Sequence, residues 1–245
     1  MALMPKSGLF GKRALVTGAS KGLGNAICRA LVDEGAHVIG VARPSAELDS
    51  MSQELGSAFE AWAMDVTEDE ILSAVESAPP FDLLVNNAGT NQPQPFVEVT
   101  DDVLDRLLTL NVRAPFRIAR STVRNMPKGG AIIHITSQMG HVGSPNRAVY
   151  CMTKHAIEGL SKAMAVELAP NGIRVNCVAP TFVRTTMTET MFADPQFAEF
   201  VDRMIPMGQL ATAEQVAAAV VYLASPAAGM ITGHSLVIEG GWTAQ

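Results

Sequence analysis

The feature that most restricts how this chain can fold is an alternation of short apolar runs of strand length with stretches of helical periodicity. Strand-like runs fall at residues 14–17, 37–42, 58–64, 83–86, 131–136, 174–178 and 235–238, and the helical patterns between them include 22–34, 101–125, 148–168 and 213–224. Strands separated by helices join through right-handed crossovers, which lay helices over both faces of the sheet. The pattern therefore predicts an α/β chain with a doubly wound, parallel seven-stranded sheet and helices on both faces. No linker, repeat or low-complexity tract interrupts it, so residues 1–245 are expected to form a single domain.

Composition removes several function classes. A net charge of −6 with no basic tract argues against a nucleic-acid binder. Cys28, Cys151 and Cys177 are widely spaced and odd in number, so they suit neither a disulfide framework nor a metal site and fit a reducing cytoplasm. The 5 histidines are scattered as well, and no metal site is expected. Residues 1–13 lack the apolar core of a signal peptide, and no uncharged apolar stretch reaches membrane-spanning length. The expectation is a soluble cytoplasmic protein with no membrane or nucleic-acid partner.

In a sheet of this kind ligands bind beyond the carboxyl ends of the strands, near the switch in strand order. After the first strand comes Thr17-Gly18-Ala19-Ser20-Lys21-Gly22-Leu23-Gly24, a glycine-rich turn into a helix. Glycines let the backbone turn sharply and approach an anion that the first helical N–H groups can bind. The spacing is Gly-x-x-x-Gly-x-Gly rather than Gly-x-Gly-x-x-Gly, and such turns also serve packing. The second strand ends Val41-Ala42-Arg43, with Ala42 where an acid would bond both ribose hydroxyls of NAD. Arg43 and Lys21 can together neutralise a 2′-phosphate, which favours NADP(H) and leaves NAD(H) as the alternative; otherwise both are ordinary solvated charges. Asp65, beside Val66 after the third strand, is placed to accept from an adenine amino group. Asn86-Asn87-Ala88-Gly89 after the fourth supplies small residues where backbone must pass close to a cofactor.

Tyr150 and Lys154 stand four apart within a helical pattern and so share one face. A phenol ionises near pH ~10 and a neighbouring ammonium favours its phenolate, which would bring it toward general acid–base work. The pair alone is weak, since an inward Tyr beside a solvated Lys is common. Ser137 and Asn111 upstream give it company.

Taken in order, Thr17-Gly18-x-x-x-Gly22-x-Gly24, Asn86-Asn87-Ala88-Gly89, Asn111, Ser137 and Tyr150-x-x-x-Lys154 resemble the short-chain dehydrogenase/reductase family in its single-domain form. The resemblance runs over residues 10–242 and includes Glu167-Leu168-Ala169-Pro170-Asn171-Gly172-Ile173-Arg174-Val175-Asn176. It implies a Rossmann-type fold and a Tyr150 that gives its proton to a carbonyl oxygen in reduction and takes one in oxidation. Lys154 would lower the Tyr150 pKa and bond the nicotinamide ribose, and Ser137 would hold the substrate oxygen. Asn111 would hold a water linking Lys154 to solvent, or kink its helix by bonding backbone, or both. Gly18, Ser20, Lys21, Gly22, Leu23, Gly24, Arg43, Asp65, Val66, Asn87, Ala88, Gly89, Pro180, Val183 and Thr185 would line the cofactor with Tyr150 and Lys154. Thr181 replaces the glycine usual after Pro180, a feature shared with carbonyl reductases of the L-xylulose (dicarbonyl) reductase kind. Gln138, His141 and Arg147 are substrate candidates. Arg147, where those reductases carry a histidine, either meets a substrate carboxylate or is a rim or interface arginine, and His141 either lines the pocket or is solvated.

The activity implied is NADP(H)-dependent interconversion of a small carbonyl compound (ketose, keto-sugar acid or dicarbonyl) and its alcohol. A 3-oxoacyl-acyl-carrier-protein reductase is the alternative, and a nucleotide-binding protein without turnover is a remote one. Residues 186–208 read as a substrate lid, or as a segment whose apolar residues mostly pack against the body. The resemblance also implies a homotetramer built on helices 101–125 and Ala148–Leu168.

Overall fold

The computed structural model describes residues 7–183 and 194–245. Seven parallel strands form one sheet in the order β3-β2-β1-β4-β5-β6-β7. They are β1 (Arg13–Thr17), β2 (His37–Ala42), β3 (Phe59–Ala63), β4 (Leu83–Asn86), β5 (Ala131–Ile135), β6 (Arg174–Pro180) and β7 (Ser235–Ile238). The described helices are α1 (Gly22–Asp33), α2 (Ala46–Leu55), α3 (Glu70–Ser77), α4 (Asp101–Leu108), α5 (Ala114–Val123), α6 (Ala148–Leu168), α7 (Pro195–Met204) and α8 (Ala213–Ala224). The chain runs outward from β1 to β3, returns to β4 on the other side of β1, and then runs outward again to β7. The switch in strand order therefore lies between β1 and β4, the Rossmann-type arrangement.

Adjacent residues on a strand face opposite sides of the sheet, and the central strands send apolar side chains to both. Leu15, Leu84, Ile132 and Val175 join Ile71 and Val75 of α3 and Ile118 of α5 in one cluster. Their neighbours Val16, Val85 and Ile133 join Ile27 and Leu31 of α1 and Val216, Val220 and Leu223 of α8 in the other. A Leu→Ala change at such a position typically costs ~2–5 kcal/mol. The two cores sandwich the sheet and leave its carboxyl edge to carry polar groups.

The helical pattern at 101–125 is not one helix. A π-turn at Thr109–Arg113 separates α4 from α5 and places Asn111 at its middle. Within it the Asn111 amide bonds Thr90 and Thr153 of neighbouring elements. The third strand is shorter than its apolar run, and β6 extends to Pro180.

One buried group in this frame should respond to acid. His134 on β5 is fully buried with only Asn86 Nδ2 beside its Nδ1 at 3.3 Å, and burial pushes its pKa down to about 4. Its folded-state pKa lies below the ordinary value near ~6.5, so the unfolded chain takes up the proton first and stability falls as pH drops from ~6.5 towards 4. The loss should reach roughly 3 kcal/mol at the acid end of that window. His134→Gln, which does not titrate, should flatten this decline in urea-unfolding curves recorded across the range.

Candidate active site

The site is built where β1 and β4 end. Gly18 follows β1 with φ of 68°, and a Cβ there would lie 2.9 Å from the Ala88 Cα, so only glycine permits this approach. A Cβ on Gly24 would meet the Gly18 carbonyl oxygen at 2.0 Å, which fixes how closely α1 packs on the turn. The Thr17 hydroxyl accepts from the backbone N–H groups of Asn87 and Ala88, both at 3.0 Å. In return Asn87 Nδ2 donates to the carbonyls of Thr17 and Gly18 at 2.9 and 3.1 Å. The two strand ends are thereby stitched into one rigid floor. Helix α1, like α3, α5 and α6, opens with no side-chain cap, and its first turn carries no acid, whereas α2, α4 and α8 are capped by Ser45, Thr100 and Thr212. Its leading N–H groups are left for an anion.

Ser137, Tyr150, Lys154 and Asn111 come together beside this floor. Tyr150 and Lys154 occupy successive turns of α6, with the Lys154 Nζ 5.5 Å from the centre of the phenol ring. Nζ donates to the Ile135 carbonyl at the end of β5 at 2.9 Å, which fixes the ammonium against the sheet. Ser137, two residues past that carbonyl, donates from Oγ to Gln138 Oε1 at 2.7 Å and accepts from the Met139 N–H at 3.2 Å, and its hydroxyl favours the ionised form of Tyr150. The Asn111 Oδ1 accepts from the Thr90 N–H at 2.9 Å, and its Nδ2 donates to the Thr90 carbonyl at 2.8 Å and to Thr153 Oγ1 at 3.2 Å. These bonds tie Asn111 to the loop backbone after β4. A Cβ on Gly89 would lie 3.2 Å from the Asn111 Oδ1 and 3.8 Å from the Lys154 Nζ, so the missing side chain keeps that corner open.

Known proteins are similar to this chain in sequence and in fold. Residues 18–243 match the family model described as enoyl-(acyl carrier protein) reductase. L-xylulose reductase of Mesocricetus auratus is 42% identical over 239 residues, covering 96% of this chain and 98% of that protein. A 3-oxoacyl-[acyl-carrier-protein] reductase of Vibrio harveyi is 37% identical over 240 residues, covering 95% and 98%. A crystal structure described as an NAD(P)-dependent gluconate 5-dehydrogenase from Beutenbergia cavernae, with NADP bound at low occupancy, superposes with a TM-score of 0.92 at 34% identity, covering 97% and 99%. The chain belongs to the short-chain dehydrogenase/reductase family.

As a short-chain dehydrogenase/reductase it is an NAD(P)-dependent oxidoreductase. The uncapped start of α1, the spare protons of Lys154 and the buried, unpartnered Thr181 Oγ1 past β6 make a donor set that fits a nicotinamide dinucleotide. Pro180 ends β6, and Val183 is buried and bridges to Ala211. Thr185 lies outside the described residues. Val66 is buried, and Asp65 Oδ1 accepts from the Thr67 N–H at 2.9 Å and its hydroxyl at 2.8 Å. Those bonds, with a smaller contribution from the Arg43 charge, hold the Asp65 carboxyl below its usual range. Arg43 is exposed at the end of β2, but Lys21 is taken up in an ion pair with Glu47 at 2.7 Å.

Two expectations from the sequence need correction. Arg147 is not a rim arginine: it is only 7% exposed, at the N-terminus of α6, and its Nε has no partner. His141, read as lining the pocket or as solvated, is exposed. Its Nε2 lies 3.0 Å from Ser235 Oγ and 3.3 Å from the Glu158 carboxylate, two turns of α6 (~12 Å of rise) beyond Tyr150. The other correction concerns the phenol itself. Burial pushes Tyr150 up to about 12, and the influences that pull it back include the Ser137 hydrogen bond and the Arg147 charge, not Lys154. Of the apolar lid residues, Met187, Met191 and Phe192 fall outside the described residues. Phe197, Phe200 and Met204 pack α7 against Phe182 and Trp242, as the simpler reading of that segment anticipates.

Burial also pushes Lys154 down to about 8. The ammonium is therefore present below that pH and lost above it. Reductive kcat/KM is expected to decline as pH rises through about 8. Lys154→Arg, whose charge persists, should carry the plateau to higher pH at a lower rate in a pH–rate profile.

Proposed function

We propose that this chain is an NADP(H)-dependent oxidoreductase that interconverts a small carbonyl compound (ketose, keto-sugar acid or dicarbonyl) and its alcohol, with Tyr150 as general acid and base. The observation that carries this reading is the meeting of Ser137, Tyr150 and Lys154 beside an open anion-binding turn at the strand switch. Bound there, the nicotinamide supplies or accepts the hydride. Ser137 holds the substrate carbonyl oxygen, and Tyr150 passes its proton to that oxygen as the carbonyl carbon becomes a carbinol. With the phenol raised to about 12, Tyr150 keeps its proton across the neutral range, which suits a donor. Lys154 holds its charge beside the resulting phenolate and bonds the cofactor ribose. Asn111 fixes α6 through Thr153, and a water on its remaining lone pairs would return the proton from solvent.

The L-xylulose reductase relative supports a small polyhydroxylated ketone as substrate. Arg43, exposed beside Ala42, supports NADP(H), and Glu47 competes for Lys21. The chain acts as a single catalytic domain, with residues 186–208 as its lid. Leu108, Val112, Phe116 and Leu160, with Asp105, Thr109 and Arg113, line a groove on α4, α5, α6 and the π-turn, which supports assembly through these helices into a homotetramer. The Vibrio relative favours one second reading, a 3-oxoacyl-acyl-carrier-protein reductase.

Initial rates with diacetyl, L-xylulose and an acetoacetyl thioester, each with NADPH and with NADH, decide among these. Turnover of the diketone or ketose with NADPH, reduced ~10²–10⁴-fold in Tyr150→Phe, is expected. Preference for the thioester would favour the second reading. Arg43→Ala should raise KM for NADPH roughly 10-fold or more and leave KM for NADH nearly unchanged, the loss expected for a charge-assisted phosphate contact. A clear NADH preference in the unaltered protein would overturn the NADP(H) assignment.

A further inference from the structure

Beside the reacting groups, the site holds a positive charge that no described residue neutralises. Arg147 is only 7% exposed, yet it makes no ion pair among the described residues. Its one hydrogen bond is a long one of 3.5 Å from Nη1 to its neighbour's carbonyl, Asn146 O, and its Nε is left without a partner. A largely buried guanidinium without a counter-ion is costly, and buried arginines are ordinarily paired. The surroundings hold it in place. Asn146 adopts φ of 58°, unusual for a side-chain-bearing residue, and its carbonyl also accepts from the Gln94 N–H at 3.1 Å, tying this loop to the one after β4.

Arg147 is the N-cap residue of α6, three residues before Tyr150, and its charge acts on the phenol. A second unpartnered donor lies at the same centre. Gln138 is 1% exposed, its Oε1 is held by the Ser137 hydroxyl, and its Nε2 bonds nothing. Two independent buried donors, one of them cationic, thus flank the Ser137–Tyr150 pair. The planar fork of an arginine suits a carboxylate, whose two oxygens it can meet together.

We propose that Arg147 and Gln138 form an anion subsite, and that the substrate is a hydroxy-ketone bearing a carboxylate rather than a neutral ketose or diketone. This rests on the reductase reading and narrows its substrate. Arg147 is then the residue that selects for charge, and Gln138 orients the group.

The test compares 5-ketogluconate with fructose, a neutral ketohexose, and with diacetyl, using NADPH and the full chain. The unaltered protein should favour 5-ketogluconate in kcat/KM. Arg147→Gln should lower the ratio of kcat/KM for 5-ketogluconate to that for fructose by roughly 10–100-fold, mainly through KM, and Arg147→Lys should fall between. Equal loss on both substrates, leaving the ratio unchanged, would sink the proposal and make Arg147 a modulator of Tyr150. A preference of the unaltered protein for fructose or diacetyl would do the same while leaving the reductase reading intact. A binding readout separates the two failures. Gluconate, but not sorbitol, should raise the melting temperature of the unaltered protein, and the rise should vanish in Arg147→Gln. If no ketone is turned over, the reductase reading fails and this melting shift alone decides for or against the subsite.

Discussion

The hydroxyl of Thr17 is the point on which the rest of the site depends. It accepts from two successive backbone N–H groups where the sequentially distant strands β1 and β4 lie side by side. Asn87 answers with two bonds to the opposite backbone. A parallel sheet must splay its loops at a switch in strand order, and the crevice this leaves is a binding site only if its floor is rigid. Four short bonds between the two strand ends supply that rigidity without filling the crevice with side chains. The close contact of Gly24 with the Gly18 carbonyl then sets the height of α1, and with it the direction of its open N–H groups.

The reacting groups inherit their placement from backbone rather than from one another. Lys154 is fixed by the Ile135 carbonyl, Asn111 by both polar groups of Thr90, and α6 by Thr153, which also bonds the Tyr150 carbonyl at 2.8 Å. Behind them Glu158 collects Thr136 Oγ1 at 2.6 Å and Ser235 Oγ at 2.9 Å, joining α6 to β5 and β7 one turn past Lys154. Side chains held this way lose little freedom when a substrate arrives, the economy expected of preorganised sites.

Much of this was legible in the sequence because each signal was local. Strand runs, the glycine turn and the Tyr-x-x-x-Lys spacing are matters of a few adjacent residues, and the seven strands, α1 and α6 lie where their patterns do, while the 101–125 pattern is broken by the π-turn. Helices α2 and α3 are weaker in the sequence because each buries only two residues, Leu48 and Met51 in one and Ile71 and Val75 in the other. What the sequence concealed was tertiary. Glu47 reaching Lys21, Glu158 drawing in His141, and a buried Arg147 with no counter-ion all depend on which loops meet. The ionisation of Tyr150 belongs to the same group: spacing from Lys154 suggested a lowered pKa, whereas desolvation, invisible in a sequence, raises it.

The π-turn at Asn111 also has a geometric effect along its own helix. Such a turn takes in one residue more than an α-turn, so α5 sits about one residue, roughly 100°, out of phase with a straight continuation of α4. The two halves can then serve different neighbours, α4 lying against α6 while α5 lies against α3 and β4. Deleting any single residue within Thr109–Arg113 would restore an unbroken helical phase and turn one half's buried face outward. The segment's length, more than the identity of most of its residues, is what the architecture cannot change.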